Sequence, residues 1–116
     1  MMKSARGSAK GVPESVYRLV VAEVGDYDRK KKALEKGGLS REKMVEYGRK
    51  VAVIDTAMES VCLNECPEAK RALMADISSM RGYKNGEARE FYTTKGTYIR
   101  RKRQALTIIA KLLELM

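Results

Sequence analysis

Histidine and tryptophan are absent from this sequence of 116 residues, which holds only two prolines, two cysteines and one phenylalanine. Without histidine the usual general base, the catalytic triad and the commonest zinc ligand are all missing. No Walker, zincin or dinucleotide fingerprint stands in their place, so no enzyme and no cofactor are read from the chain. Cys62 and Cys66 lie four apart, but a zinc site needs two further ligands, so buried reduced thiols and no metal are expected. No apolar run approaches the length of a bilayer span, and Met1 to Pro13 lacks the apolar segment of a secretory signal. Cysteines without such a signal point to a reducing cytoplasm, and nothing points to a membrane. Period-two alternation is missing as well, which leaves an all-α reading.

What the chain does have is positive charge. It carries 24 Lys and Arg against 15 Asp and Glu, a net +9, which suits an acidic partner such as nucleic acid or an anionic membrane surface. By segment, residues 1–13 contribute +3, 14–36 contribute +1, 37–66 contribute −1 and 67–80 contribute zero. Residues 81–116 hold nine cations against three acids, so two thirds of the net charge sits in the last third of the chain.

Residues 1–12 (MMKSARGSAKGV) are small, basic and Gly/Ser-rich, and predict a disordered arm. Pro13 and Glu14 suit a helix start. Tyr17, Val20, Val21, Val24, Tyr27 and Leu34 then follow at helical spacing up to the stop at Gly37-Gly38. Val20-Val21 and Gly25 are weak points of that helix, and Asp28–Lys32 reads as an exposed charged stretch. Ser40 is the expected cap of the next helix, whose Met44, Tyr47, Val51, Ile54, Met58 and Val61 form a heptad stripe. The short GGLS connection favours an antiparallel helical hairpin over residues 13–66, and the stripe also admits a homodimer.

Pro67 opens a third helix with Ala69, Ala72, Leu73, Ile77 and Met80 turned inward and Gly82 closing it. Residues 83–96 contain an Asn-Gly turn signal and leave room for one short element around Glu87–Tyr92. The chain ends on a helix with two kinds of chemistry, capped in this reading by Thr97. Tyr98, Ala105, Ile109, Leu112, Leu113 and Met116 share its apolar face, while Thr97, Arg100, Arg101, Gln104 and Thr107 spread over the other. Arg100, Arg101 and Arg103 suit guanine or phosphate, and Gln104 suits adenine. Thr94, Lys95 and Thr97 suit phosphate near the helix start, where the dipole favours anions. Lys102 points nearer the core and ranks below them. Tyr83, Tyr92 and Tyr98 interleave with these cations; stacking on bases and core packing are both open for Tyr92, and core packing is favoured for Tyr98.

Three stretches resemble the phage-encoded ArpU/RinA-type transcriptional regulators, over residues 50–116. They are Val53-Ile54-Asp55-Thr56-Ala57-Met58, then Pro67-Glu68-Ala69-Lys70-Arg71, then Gly96 to Leu106 followed by Ile109-Ala110. Glu87–Thr94 departs from the family in lacking the apolar-Ala-x-x-Leu signature of a first helix-turn-helix element. The resemblance implies a C-terminal domain like the helix-turn-helix of sigma-factor region four, over residues 67–116. It further implies a phage or prophage regulator that binds duplex DNA at a promoter and works with host RNA polymerase. Two other readings stand beside it: a small-terminase-like DNA-packaging adaptor, and a helical module that binds a protein partner through the heptad stripe.

Overall fold

The computed structural model describes residues 12–62, 66–92 and 94–115, and among these the only regular structure is helical. The expected arm therefore lies outside the described residues, apart from Val12, which is buried in the core. No helix among the described residues is long and apolar enough to cross a membrane.

Helix α1 (Glu14–Gly25) starts directly after Pro13 and buries Val16, Tyr17, Val20 and Val24 along one face. The single helix expected up to Gly37 is broken: Asp26 ends α1, and α2 (Tyr27–Lys36) departs from it. Gly25, with its low helix propensity, supplies the weak point at which the axis changes. The break divides the labour of the two helices. α1 packs on the C-terminal half of the chain, whereas α2 packs on α3 (Arg41–Val61).

The hairpin expected over residues 13–66 is reduced to α2 and α3, which pack on each other across the turn at residues 37–40, while α1 packs on the last two helices of the chain. Gly37 and Gly38 have φ of +83° and +86°, a region that costs other L-residues about 1–2 kcal/mol each. Ser40 caps α3 as expected, its hydroxyl accepting from the Lys43 N–H at 3.2 Å. Tyr27 donates its hydroxyl to Asp55, and Arg29 reaches the Tyr47 hydroxyl at 3.5 Å, which sets the register. Lys30 is a correction to the exposed charged stretch: it is buried, donating to Glu23 at 2.8 Å, and Glu23 also accepts from Lys50 at 3.1 Å. The heptad stripe is buried only over its second half, at Ile54, Met58 and Val61, while Met44 stands 52% exposed. Residues 41–46, the first turns of α3, are all exposed, and Arg49 one turn further on reaches the Leu112 carbonyl at the end of the last helix at 3.5 Å.

α4 (Pro67–Ser78) opens at Pro67, with Cys66 exposed at its cap rather than buried. Cys62 is buried, its Sγ 3.7 Å from the Tyr92 hydroxyl. Ala69, Ala72, Leu73 and Ile77 face inward as expected. Met80 does not: it is 51% exposed at φ +56°, because the helix closes before Gly82 in a left-handed turn in which the Arg81 N–H bonds the Asp76 carbonyl at 2.8 Å. A 3-10 turn (Ala88–Phe91) fills the short element foreseen there.

The last helix, α5 (Lys95–Leu112), runs antiparallel to α3, with α1 also against it. Its buried arc is Tyr98, Lys102, Ala105, Leu106, Ile109 and Ala110, continued by Leu113. Leu112 falls at the edge of that arc and is 43% exposed, against expectation; Met116 lies outside the described residues. A single apolar cluster runs through residues of α1, α3, α4 and α5. Each fully buried Leu or Ile in it, such as Leu73, Ile54 and Ile109, contributes roughly 1.5–3 kcal/mol.

Candidate nucleic-acid interface on α5

The outer face of α5 is set by how its first turn is held. The cap is Thr94, not Thr97: the Thr94 hydroxyl accepts from the Thr97 N–H at 3.1 Å and lies 3.0 Å from the Thr97 hydroxyl. The two threonines are thus spent partly on each other, with Thr94 exposed and Thr97 half-buried. No acid occupies the first turn, so Lys95 stands exposed at the positive end of the helix dipole.

The orientation of α5 depends on Asp76, a residue that the sequence reading passed over. Asp76 is fully buried on α4. Its carboxylate accepts from the Glu87 N–H at 2.6 Å, the Ala88 N–H at 2.9 Å and the Tyr98 hydroxyl at 2.9 Å. It thereby ties α4, the 3-10 turn and α5 together, with Arg81 at 3.7 Å as its ion partner. Gly86 is required beside it, since a Cβ there would meet Asp76 Oδ2 at 2.5 Å. Burial, then donation to Asp76, pushes the Tyr98 hydroxyl well above its ordinary pKa. The signal for Asp76 was present: it lies on the same face as Ala69, Ala72 and Leu73, where an acid needs partners.

The tyrosines belong to this buried support. Tyr92 and Tyr98 are buried, and Tyr83 and Tyr92 meet Tyr98 edge-on at 5.4 and 6.0 Å, so neither Tyr92 nor Tyr98 has a face for bases. Lys102 is buried too, as its lower rank anticipated; its ammonium donates to the Arg81 carbonyl, and burial lowers its pKa.

Two stripes remain on the outside. Gly96, Arg100, Arg103 and Thr107 recur four, three and four apart, and Thr97, Arg101, Gln104 and Ile108 run beside them. Arg100 and Gln104 are exposed, while Arg101 and Arg103 are half-buried. Together with Ser60 and Val61 at the end of α3, Arg100, Arg101, Arg103 and Gln104 line one open cleft of about 840 Å³. Four of the seven sequence-predicted residues thus meet in one place; Thr94, Lys95 and Thr97 lie at the helix start.

The electrostatics of the cleft are one-sided. Among the described residues no acid lies within ion-pair distance of Lys95, Arg100, Arg101 or Arg103. The Nε atoms of Arg101 and Arg103 are buried and have no hydrogen-bond partner among the described residues. Unspent donors on neighbouring arginines are what a phosphate or a base edge takes up. Where a helix-turn-helix has a full first helix, this chain has the four-residue 3-10 turn, joined to α5 across residues 92–94. Comparisons with family models, with characterised proteins and with solved structures return no match.

Proposed function

We propose that this chain is a DNA-binding transcriptional regulator of phage or prophage type, gripping duplex DNA with the first half of α5. The observation that carries the reading is the set of cations on that helix, Lys95, Arg100, Arg101 and Arg103, which the fold holds side by side without giving them an acid among the described residues. Ion pairs among the described residues go to Arg18, Arg29, Lys30, Lys50 and Arg81, and what distinguishes α5 is that its unpaired Arg100, Arg101 and Arg103 line one cleft. Arg100 and Gln104 are the base-reading candidates because they are exposed at the centre of the outer face; Arg101, Arg103, Thr94, Lys95 and Thr97 serve the phosphates. Host RNA polymerase is the further partner that the ArpU/RinA resemblance implies.

The test is fluorescence anisotropy with a mixed-sequence duplex over a salt series. Wild type is expected to bind at low salt, and Arg100→Ala, Arg101→Ala and Arg103→Ala together are expected to lower the log–log salt slope by about 2–3. Each side chain is at least partly exposed, so the helical signal and melting temperature should be retained. Unchanged affinity in a folded triple variant would overturn the assignment.

A second reading, a helical interaction module, draws on Met44 and Val45, 52% and 67% exposed in the first turns of α3. Deleting residues 93–116 separates it from the regulator, because partner binding should then survive in a folded remainder, and a ring-sized solution mass would favour a packaging adaptor of the small-terminase kind.

A further inference from the structure

The pair of helices α2 and α3 is itself strongly cationic at its glycine end. Residues 27–50, the whole of α2 with the first half of α3, hold nine cations against four acids, a net +5. Part of this charge is spent internally. Lys30 and Lys50 pair with Glu23, Lys50 also with Glu46, and Arg29 with Asp26. What the pairing leaves is Lys31, Lys32, Lys36, Arg41, Lys43 and Arg49, all exposed and with no ion pair among the described residues.

These cations are ordered along the arm. Arg29, Lys32 and Lys36 recur three and four apart on α2, which puts them on one face over about 10 Å. Asp28 and Glu35 occupy the adjoining flank. Across from the stripe, α3 contributes half-exposed Tyr47, with Arg29 5.7 Å and Lys43 5.5 Å from its ring centre. A row of cations beside one aromatic ring is the chemistry that a phosphate backbone takes up, with a sugar or base edge against the ring. Tyr47 to Ser60, which lines the α5 cleft, is thirteen residues of continuous helix, or about 20 Å along its axis, with the two side chains on different faces of α3. That rise is a little over half a turn of duplex, whose repeat is about 34 Å.

We infer that this arm is a second phosphate-binding surface, which holds the same duplex about half a turn from the site on α5. The inference rests on the DNA-binding reading proposed above. Its recognition is through charge and shape alone: the arm adds affinity and reach, and α5 supplies any choice of sequence.

The experiment uses the full chain and a mixed-sequence duplex of about two helical turns, with anisotropy from roughly 50 to 200 mM salt. The arm variant is Lys32→Gln, Lys36→Gln and Lys43→Gln; the comparison is the triple arginine variant of α5. The arm variant is expected to lose about 2–3 from the salt slope and about tenfold or more in affinity, with unchanged circular dichroism. A wild-type slope in the arm variant, alongside a reduced slope in the α5 variant, overturns the arm and leaves the α5 reading standing. No binding by wild type at low salt overturns both. A wild-type slope in the arm variant accompanied by lost binding to phosphatidylserine-containing vesicles assigns the arm to a lipid surface and overturns it as a DNA contact.

Discussion

Asp76 shows what one buried carboxylate does for a surface several residues away. It satisfies two backbone N–H groups of the loop and the hydroxyl of the first buried residue of α5, so the direction in which Arg100 and its neighbours point is set from α4. Asp76→Asn keeps the shape but places an amide N–H against groups that already donate. The expected cost is about 2–4 kcal/mol, read from urea denaturation. A loss under about 0.5 kcal/mol, the scale of an ordinary surface change, would mean that the loop is held by other contacts. At this scale the sequence was legible wherever residue type and burial agree, as at Leu73, Ile77, Ile54 and Tyr98. For Asp76 the helical period displays the inward face but not the partners, which lie in the loop 11 residues on, and Lys30 was not legible, because its partner Glu23 lies across the break between α1 and α2. Lys102 was half legible: its phase on α5 placed it toward the core, but the Arg81 carbonyl that receives it comes from the end of α4.

Element boundaries were legible where chemistry marks a single residue. Ser40, Pro67 and the Gly37-Gly38 pair each end or begin a helix where the residue type requires it. At the start of α5 the sequence reading placed the cap at Thr97, after Gly96. The structure uses the earlier Thr94, because from there a hydroxyl reaches the third helical N–H, while glycine in a first turn is inexpensive. Thr94→Ala is therefore expected to destabilise the protein by about 1 kcal/mol and Thr97→Ala by clearly less, as thermal melts of the two variants can check. Equal losses would return the cap to Thr97. The joint at Asp26 was visible only as a weak point at Gly25. That α1 and α2 go on to serve different neighbours follows from tertiary packing, which helical periodicity alone does not carry.

For the molecule as a whole, the three segments α1, α2 and α3 meet at Glu23, which Lys30 and Lys50 approach from either side. Burial raises the Glu23 pKa, but the two ammonium groups outweigh it and hold the carboxyl below its ordinary value near 4.5. A depressed carboxylate contributes stability that is complete above the unfolded pKa and is lost as pH falls through the folded one. The protein should accordingly lose stability as pH drops below about 4.5, and Glu23→Gln should be less stable at neutral pH while showing a shallower acid dependence. Chemical denaturation at pH 7, 5 and about 3.5 measures both; parallel curves for the two proteins would remove Glu23 from this role. The charge distribution shows how legibility fails at this scale. Taken as residues 14–36 and 37–66, the N-terminal half reads +1 and −1, because the division falls at the tip of the hairpin and mixes its cations with acids from α1 and the far end of α3. Folded, residues 27–50 among them come together as an arm of +5. The cleft on α5 was easier to find, since helix and charge run together within one stretch of chain.

The antiparallel arm has one more property that follows from its open glycine tip, beside whose residues a side chain would meet nothing within 4 Å. It is a ruler. One heptad added to both α2 and α3 would move the turn outward by about 10 Å, some three base pairs, while keeping each helix in phase. Related chains with the same α5 and a hairpin of another length would measure out a different span of DNA from the same grip.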